Sequence, residues 1–393
     1  MSATIDSELA ELRSQALFRK LRQIDSPQQP AMELAGRKLI NFSSNDYLGL
    51  ATEPALREAA KAAIDQYGVG SGSSRLICGT LTPHVQLEEK LAEFKRTEAA
   101  LTFSSGYAAA LGTLGALLGR EDVVILDKLA HASLIDGARL SGAVVRVFPH
   151  NHLGKLESHL QWALENHPDA RVLVVTESVF SMDGDWAHLP EIVEIKDRYG
   201  ALLLLDEAHA VGVVGEHGRG LADHLGLTAQ IDLQMGTLSK ALGVSGGYVC
   251  AGRRVIDLLI NRARSFIYST APSPATVAAA RAALEFMMSA AGERRRQQLR
   301  GNLSHFAGEM PHLLGGGKKI QSAIIPIVLG PAEAAIAAAK LLHEKGFLVP
   351  AIRFPTVARD AARLRVTLSA RHTFQQISDL CAVLRNVSRQ GSA

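Results

Sequence analysis

The chain has 393 residues, 47% hydrophobic and 21% charged, a length that allows roughly two to three domains of 100–200 residues and a large buried core. Forty-two Lys and Arg against 39 Asp and Glu leave a net charge of +3, and 5% aromatics offers little base-stacking surface, which argues against a nucleic-acid binder. Cys78, Cys250 and Cys381 lie far apart without CxxC or Cys/His ligand spacing, which argues against a disulfide framework and a structural zinc site and fits a reducing cytoplasm.

Residues 1–22 lack the apolar core of an export signal and predict an amphipathic helix with Leu9, Leu12, Ala16 and Leu17 on one side. A Pro/Gln linker over 26–30 leads to NFSSNDYLGL at 41–50, which has neither helical nor strand periodicity and predicts an ordered loop. Residues 55–67 read as a helix. Gly68, Gly70 and Gly72 follow it and superficially resemble a dinucleotide fingerprint, but the third glycine is misplaced and no strand precedes them. The uncharged run 99–119 carries Thr102, Ser104, Ser105 and Thr113 and is broken by Gly106, Gly112 and Gly115, so it predicts a strand, a turn and a buried helix rather than a membrane span.

Short apolar runs at 123–126, 144–148, 172–176, 202–205 and 233–236 alternate with helical patterns, which predicts a mostly parallel sheet covered on both faces. The last third predicts a long helical stretch from Thr276 into Arg294, Arg295 and Arg296, a loop at Gly315, Gly316 and Gly317, and strands near 324–329 and 364–368, together a smaller α/β domain. The sequons at Asn302 and Asn386 would matter only in a secreted protein. No fixed-period repeat, phosphate-loop motif or HExxH occurs.

Polar groups cluster where the apolar runs end. Lys240 stands among small residues straight after a run, as an amine needs to be to form a Schiff base with an aldehyde cofactor, with the Thr237 and Ser239 hydroxyls available for a phosphate. Taken alone the segment also suits a solvated loop lysine. Asp206 ends the run at 202–205, where open α/β sheets collect ligands; a carboxylate there can keep the pyridine nitrogen of pyridoxal phosphate protonated, and it can equally cap the next helix. TFSSGYAAA at 102–110 opens a helix with bare amides at Gly106 and Tyr107, which makes an anion site or, more simply, a serine-capped helix. His131, past another run, suits stacking on a ring or bonding a substrate, and Ser181 and His209 complete a set that falls at predicted strand ends.

Through NFSSNDYLGL, DKLAHASL (127–134), VFSMDGD (179–185), DEAH (206–209) and GTLSK (236–240), the chain resembles the α-oxoamine synthases over nearly its whole length. These are pyridoxal-phosphate-dependent acyltransferases of the aspartate-aminotransferase-like fold type I. The resemblance implies an N-terminal segment (1–50), a large cofactor-binding domain with a mostly parallel sheet (51–284), a small C-terminal α/β domain (285–393), and a cytoplasmic homodimer with shared active sites. It implies that Lys240 forms the internal aldimine and serves as base, that Asp206 pairs with the pyridine nitrogen, and that His131 stacks on the ring and meets the substrate. His209 and Ser181 would lie near the phenolic oxygen, and Gly106, Tyr107 and Thr237 would bind chiefly the phosphate.

Arg365 would hold the amino-acid carboxylate, a bidentate task for which a guanidinium fork is suited; Arg19, Asn45 and Thr356 would be further substrate contacts. The reaction implied is decarboxylative condensation of L-alanine with pimeloyl-CoA or pimeloyl-carrier protein in biotin biosynthesis, with no metal, nucleic acid or membrane. The segment from Arg75 to Thr80 is similar to the branch that joins glycine to acetyl-CoA, and a cofactor-binding protein without activity is the non-enzyme alternative. Phe354 and the triplet Ala358, Arg359, Asp360 depart from the family's usual proline and Pro/Gly turn. Residues 68–79 would approach the partner's cofactor in a dimer, and on their own read as a surface loop.

Overall fold

The computed structural model describes residues 2–15, 17–311 and 320–390. Helix α1 (Ser2–Ser14) is shorter than the apolar spacing predicts. Leu17 closes it with an N–H to the Leu12 carbonyl at 2.8 Å rather than extending it, and Leu12 stays exposed. Ala16 and the three glycines at 315–317 lie outside the described residues.

Strands β1 (Ala31–Leu34) and β2 (Arg37–Asn41) form an antiparallel hairpin, and β2 pairs in parallel with a strand 300 residues on, so the N-terminal segment is fastened to the C-terminal part of the chain. Residues 42–50 form the expected loop, with Phe42, Tyr47, Leu48 and Leu50 fully buried. Helices α2 (Pro54–Tyr67) and α3 (Thr82–Lys95) follow. Between them the 68–79 segment is pinned, Ser71 Oγ donating to the Pro272 carbonyl at 2.6 Å and buried Arg75 pairing with Glu88 at 2.8 Å, while Val69 and Ile77 face outward.

The main sheet contains β3 (Ala99–Phe103), β4 (Val123–Asp127), β5 (Val144–Phe148), β6 (Val172–Glu177), β7 (Leu202–Asp206), β8 (Leu233–Thr237) and β9 (Gly247–Ala251), in the order β3-β9-β8-β7-β6-β4-β5. Neighbours from β8 through β5 run parallel, and β9 is antiparallel to both of its neighbours. The central strands are mostly apolar because both faces are covered, whereas edge strand β5 carries Arg146 and leaves Val145 and Val147 exposed. Val124 and Leu126 pack against α4 (Gly106–Leu117) and α5 (Ala132–Ser141), while Val123 and Ile125 pack against the helices Leu153–Asn166 and Leu189–Arg198 on the other side. Each such fully buried aliphatic side chain stabilises the fold by about 1.5–3 kcal/mol.

Beyond the sheet, the predicted long helix is two, Pro274–Met288 and Ala290–Glu309, broken at Ser289, whose hydroxyl caps the second by accepting from Gly292 N–H at 3.3 Å. Strands β10 (Ile324–Gly330), β11 (Phe347–Leu348), β12 (Ala351–Ile352) and β13 (Ala362–Thr367) complete the chain's sheets, β10-β13-β12 being antiparallel and β11 joining β2. Asn302 is fully buried, its amide donating to the carbonyls of Ser369 and His372 at 2.9 Å. Among the described residues no helix is long and apolar enough to cross a membrane.

Candidate active site

Four of the parallel strands, β4, β6, β7 and β8, end in Asp127, Glu177, Asp206 and Thr237, which brings these polar groups to the C-terminal edge of the sheet. Glu177 and Asp206 are register partners, so two buried carboxylates stand side by side. Burial raises the pKa of Asp206, an effect that Lys240 opposes; Glu177 is pushed well above the carboxylate range by burial and by Asp206. One Glu177 oxygen is buried with no hydrogen-bond partner.

Lys240 lies in the turn after β8, its Nζ 2.8 Å from His209 Nε2. Burial lowers its pKa to about 8 against the pull of Asp206 and Glu177, and Arg365 adds to the depression. His209 is buried and held neutral, its pKa driven well down by burial and then by Lys240 and Arg365. Its Nδ1 lies 2.6 Å from the hydroxyl of Tyr47, which burial pushes up to about 12 and which also reaches Asn45 Oδ1 at 3.2 Å. Arg365 Nη1 donates to the same Asn45 oxygen at 3.2 Å, and its Nε donates to the Ser181 carbonyl at 2.7 Å. Proton counting links this chain of contacts. A charged Lys240 donates to Nε2, so His209 carries its hydrogen on Nδ1 and Tyr47 donates to Asn45; a neutral Lys240 lets both bonds reverse.

A second cluster adjoins this one. Helix α4 begins at Gly106 with Ser105 Oγ accepting from Ala108 N–H at 3.0 Å, which leaves the first amides, of Gly106 and Tyr107, without intrahelical partners. Gly106 abuts Thr237, since a Cβ built on it would lie 3.5 Å from the threonine Cβ. The Thr237 hydroxyl donates to the Gly246 carbonyl at 2.8 Å and touches Ser239 Oγ at 2.7 Å. Gly247 permits this approach, because a Cβ there would come within 2.6 Å of the Gly106 nitrogen. Amide dipoles and hydroxyls around one helix start make an anion cradle. The Tyr107 ring points away, its hydroxyl donating to Asp136 at 2.8 Å.

His131 caps α5, Nδ1 accepting from Ser133 N–H at 3.2 Å; burial lowers its pKa, an effect that Asp206 opposes and Lys240 adds to. The structure thus gathers Lys240, His209, Asp206, His131, Asn45, Arg365 and Ser181 in one place and Gly106, Tyr107 and Thr237 beside them. Arg19 and Thr356 lie elsewhere, in a cleft of about 830 Å³ whose walls also hold Arg353, Lys340 and His343 but none of the Lys240 cluster. That cleft adjoins the first through β12 and β13, Arg365 N–H donating to the Pro350 carbonyl on its wall at 3.2 Å. Phe354 is half-exposed under the Arg359 guanidinium, 4.4 Å from the ring centre. Tyr47 and Glu177 join the site beyond the residues expected from the sequence; the signal for Glu177 is its place just past an apolar run, like Asp206, and Tyr47 lies within NFSSNDYLGL.

The family model for aminotransferase class I and II matches residues 37–384. The chain is similar to 8-amino-7-oxononanoate synthase of Geobacter sulfurreducens, 46% identical over 390 residues and 99% of both chains. Among solved structures it is similar to Sphingomonas wittichii serine palmitoyltransferase at 32% identity and TM-score 0.90, covering 99% of this chain and 97% of that one. It is also similar to SPT with its PLP internal aldimine, at 30% identity, TM-score 0.91, and 99% and 98% coverage.

Proposed function

The chain belongs to the aminotransferase class I and II family, and from that membership we propose that it is a pyridoxal-phosphate acyltransferase performing the 8-amino-7-oxononanoate synthase reaction: L-alanine and a pimeloyl thioester give 8-amino-7-oxononanoate, free thiol and carbon dioxide. Full-length relatives at 42–46% identity support the choice of substrates. The observation that carries the chemistry is the Lys240 amine, desolvated to a pKa of about 8 beside neutral His209 and in the field of Asp206.

The residues present fit the cofactor. The anion cradle at Gly106, Tyr107, Thr237 and Ser239 suits its phosphate, Asp206 its ring nitrogen, and the exposed face of His131 its ring, while His209 and Ser181 flank the phenolic oxygen. The unpartnered buried oxygen of Glu177 marks the same pocket as built for a further polar group. Arg365 is buried with no carboxylate partner among the described residues, which leaves its guanidinium for the amino-acid carboxylate. When bound, pyridoxal phosphate supplies an electron sink for negative charge at the alanine Cα.

Around that group the protein's own side chains bind and move protons. Lys240 Nζ would be the residue that binds the cofactor's aldehyde; once free, and neutral at its lowered pKa, it would take the proton from the alanine Cα. Arg365, fixed by Asn45 and the Ser181 carbonyl, orients the carboxylate that leaves as carbon dioxide. The new bond joins the alanine Cα to the acyl carbonyl carbon, whose thiol departs. Arg19 and Thr356, on the neighbouring cleft, suit the far end of the acyl chain. The division into 1–50, 51–284 and 285–393, a homodimer with shared sites and a cytoplasmic setting go with this reading.

The test crosses alanine, glycine and serine with pimeloyl-CoA, pimeloyl-carrier protein, acetyl-CoA and palmitoyl-CoA, following thiol release. Release confined to alanine with a pimeloyl thioester is expected; activity only with glycine and acetyl-CoA, or no release with any pair, refutes the named reaction.

A further inference from the structure

His150, two residues past β5, bridges two loops of the site by an unusual pair of contacts. Its Nδ1 lies 3.2 Å from Asp127 Oδ1 and its Nε2 2.9 Å from Asp185 Oδ2. An ionised carboxylate only accepts hydrogen bonds, so with both carboxylates charged each ring nitrogen carries a hydrogen, as only the imidazolium allows; Asn151 Nδ2, 3.3 Å from Nε2, is then a neighbour of that nitrogen and not a donor to it. Burial works against that charge, but the two carboxylates override it and raise the pKa to about 10. The Phe180 ring meets the imidazole edge-on, centres 4.3 Å apart.

Asn151 extends the bridge. Its N–H donates to Asp127 Oδ2 at 2.9 Å and its side-chain amide to the Trp186 carbonyl at 3.0 Å, from a left-handed backbone conformation (φ +54°) that asparagine tolerates better than most residues. The two loops so joined carry functional groups. Asp127 begins the turn that ends at His131, Leu129 N–H donating to its Oδ1 at 2.8 Å and Ala130 N–H to its carbonyl at 3.0 Å. Asp185 closes the loop that carries Ser181, Phe180 N–H donating to its carbonyl at 3.0 Å, and the Ser181 carbonyl in turn accepts from Arg365.

We propose that His150 is a positioning residue: a fixed imidazolium that clamps the His131 turn to the Ser181 loop and thereby sets His131 and Arg365 in one geometry across the site. The proposal rests on the reading in which His131 faces the cofactor and Arg365 the amino-acid carboxylate. Without the cation, Asp127, only 1% exposed, keeps the Leu129 and Asn151 amides but loses its counter-charge, and the two loops stay joined only through Asn151.

The test uses holoenzyme carrying His150→Gln, the pair His150→Gln with Asp185→Asn, and Asp185→Ala alone. Glutamine has one donating and one accepting end, so it satisfies Asp127 and sets an oxygen against Asp185; asparagine at 185 turns that clash into a bond. Alanine KM is expected to rise roughly tenfold in His150→Gln, the low end of what a charged hydrogen bond is worth, with kcat less affected and the visible circular dichroism of the bound cofactor weakened. The paired variant should recover both. A fall in thermal midpoint with KM and dichroism unchanged would show a structural role alone and overturn the proposal. Should His150→Gln fail to fold, Asp185→Ala removes only a 38%-exposed side chain from the loop end of the clamp, and an unchanged alanine KM there also overturns it. Arg365→Gln and His131→Asn separate the two levels: if they leave KM and dichroism intact, the underlying reading fails and takes the clamp with it, whereas if only the His150 and Asp185 variants are silent, the clamp alone fails.

Discussion

The lowered pKa of Lys240 can be read directly from the rate at which cofactor-free protein captures pyridoxal phosphate, because only a neutral amine attacks an aldehyde. Moving the pKa from 10.5 to about 8 raises the neutral fraction at pH 7 roughly 300-fold, each pKa unit being a factor of ten while the amine is mostly charged. Growth of visible absorbance after mixing, followed from pH 6 to 10, should reach half its limiting rate near pH 8. Two charge deletions then move the midpoint in opposite directions. Asp206→Asn removes an anion that favours the ammonium, so the midpoint falls; Arg365→Gln removes a cation that disfavours it, so the midpoint rises. Both variants are normalised to their own plateau, which removes differences in final occupancy. A wild-type midpoint above 10, or shifts of the same sign in the two variants, would refute the view that desolvation tuned by these two charges prepares the lysine.

Gly247→Ala should drive a methyl against Ser105 and Gly106 at the start of α4, costing about 1–3 kcal/mol by overpacking and loosening the phosphate end of the cofactor, which equilibrium titration of the cofactor would read as weaker binding. Glu177→Gln should fold and bind cofactor much as the wild type does, because burial and the adjacent Asp206 hold the carboxyl well above its ordinary pKa and so favour its neutral form, which the amide mimics. Stability from a raised carboxyl is present below about 4.5 and lost as pH rises through the folded pKa, so chemical denaturation should find this variant increasingly favoured over wild type toward alkaline pH. Arg365→Lys should raise alanine KM by tenfold or more while leaving cofactor binding intact, since one ammonium cannot hold Ser181, Asn45 and a carboxylate together.

The sheet was legible in the sequence because its strands are buried on both faces and announce themselves as uninterrupted apolar runs; the residues after those runs then reach one edge by topology alone. That is why Asp206, Thr237, Lys240, His131 and Ser181 could be named without coordinates. The break at Ser289 has a local signal, a serine followed three residues on by Gly292, where a Cβ would come within 2.4 Å of the Phe286 and Met287 carbonyls. A continuous helical composition on both sides hid it. For α1 the opposite holds: its apolar spacing implies a buried face, whereas Ile5 and Leu12 are exposed.

What stayed illegible are contacts whose partners lie far apart in the chain. Asn45 and Arg365 are separated by 320 residues and Tyr47 and His209 by 162, and neither pair leaves a periodic trace. Both depend on how the loop at 42–50 is caught between the main sheet and the C-terminal strands, with Thr367 N–H donating to the Phe42 carbonyl at 2.9 Å and Ala370 N–H to the Tyr47 carbonyl at 2.7 Å. The same loop carries the hydroxyl that meets His209 and the amide that meets Arg365. The amine proposed to hold the cofactor and the guanidinium proposed for the substrate carboxylate are therefore joined by one short polar chain, Lys240 to His209 to Tyr47 to Asn45 to Arg365. Its members come from opposite ends of the sequence, so the site is complete only when the C-terminal strands dock on the sheet. A residue such as Thr367, remote from the chemistry but holding that loop, then bears on the pKa of the lysine through packing rather than through charge.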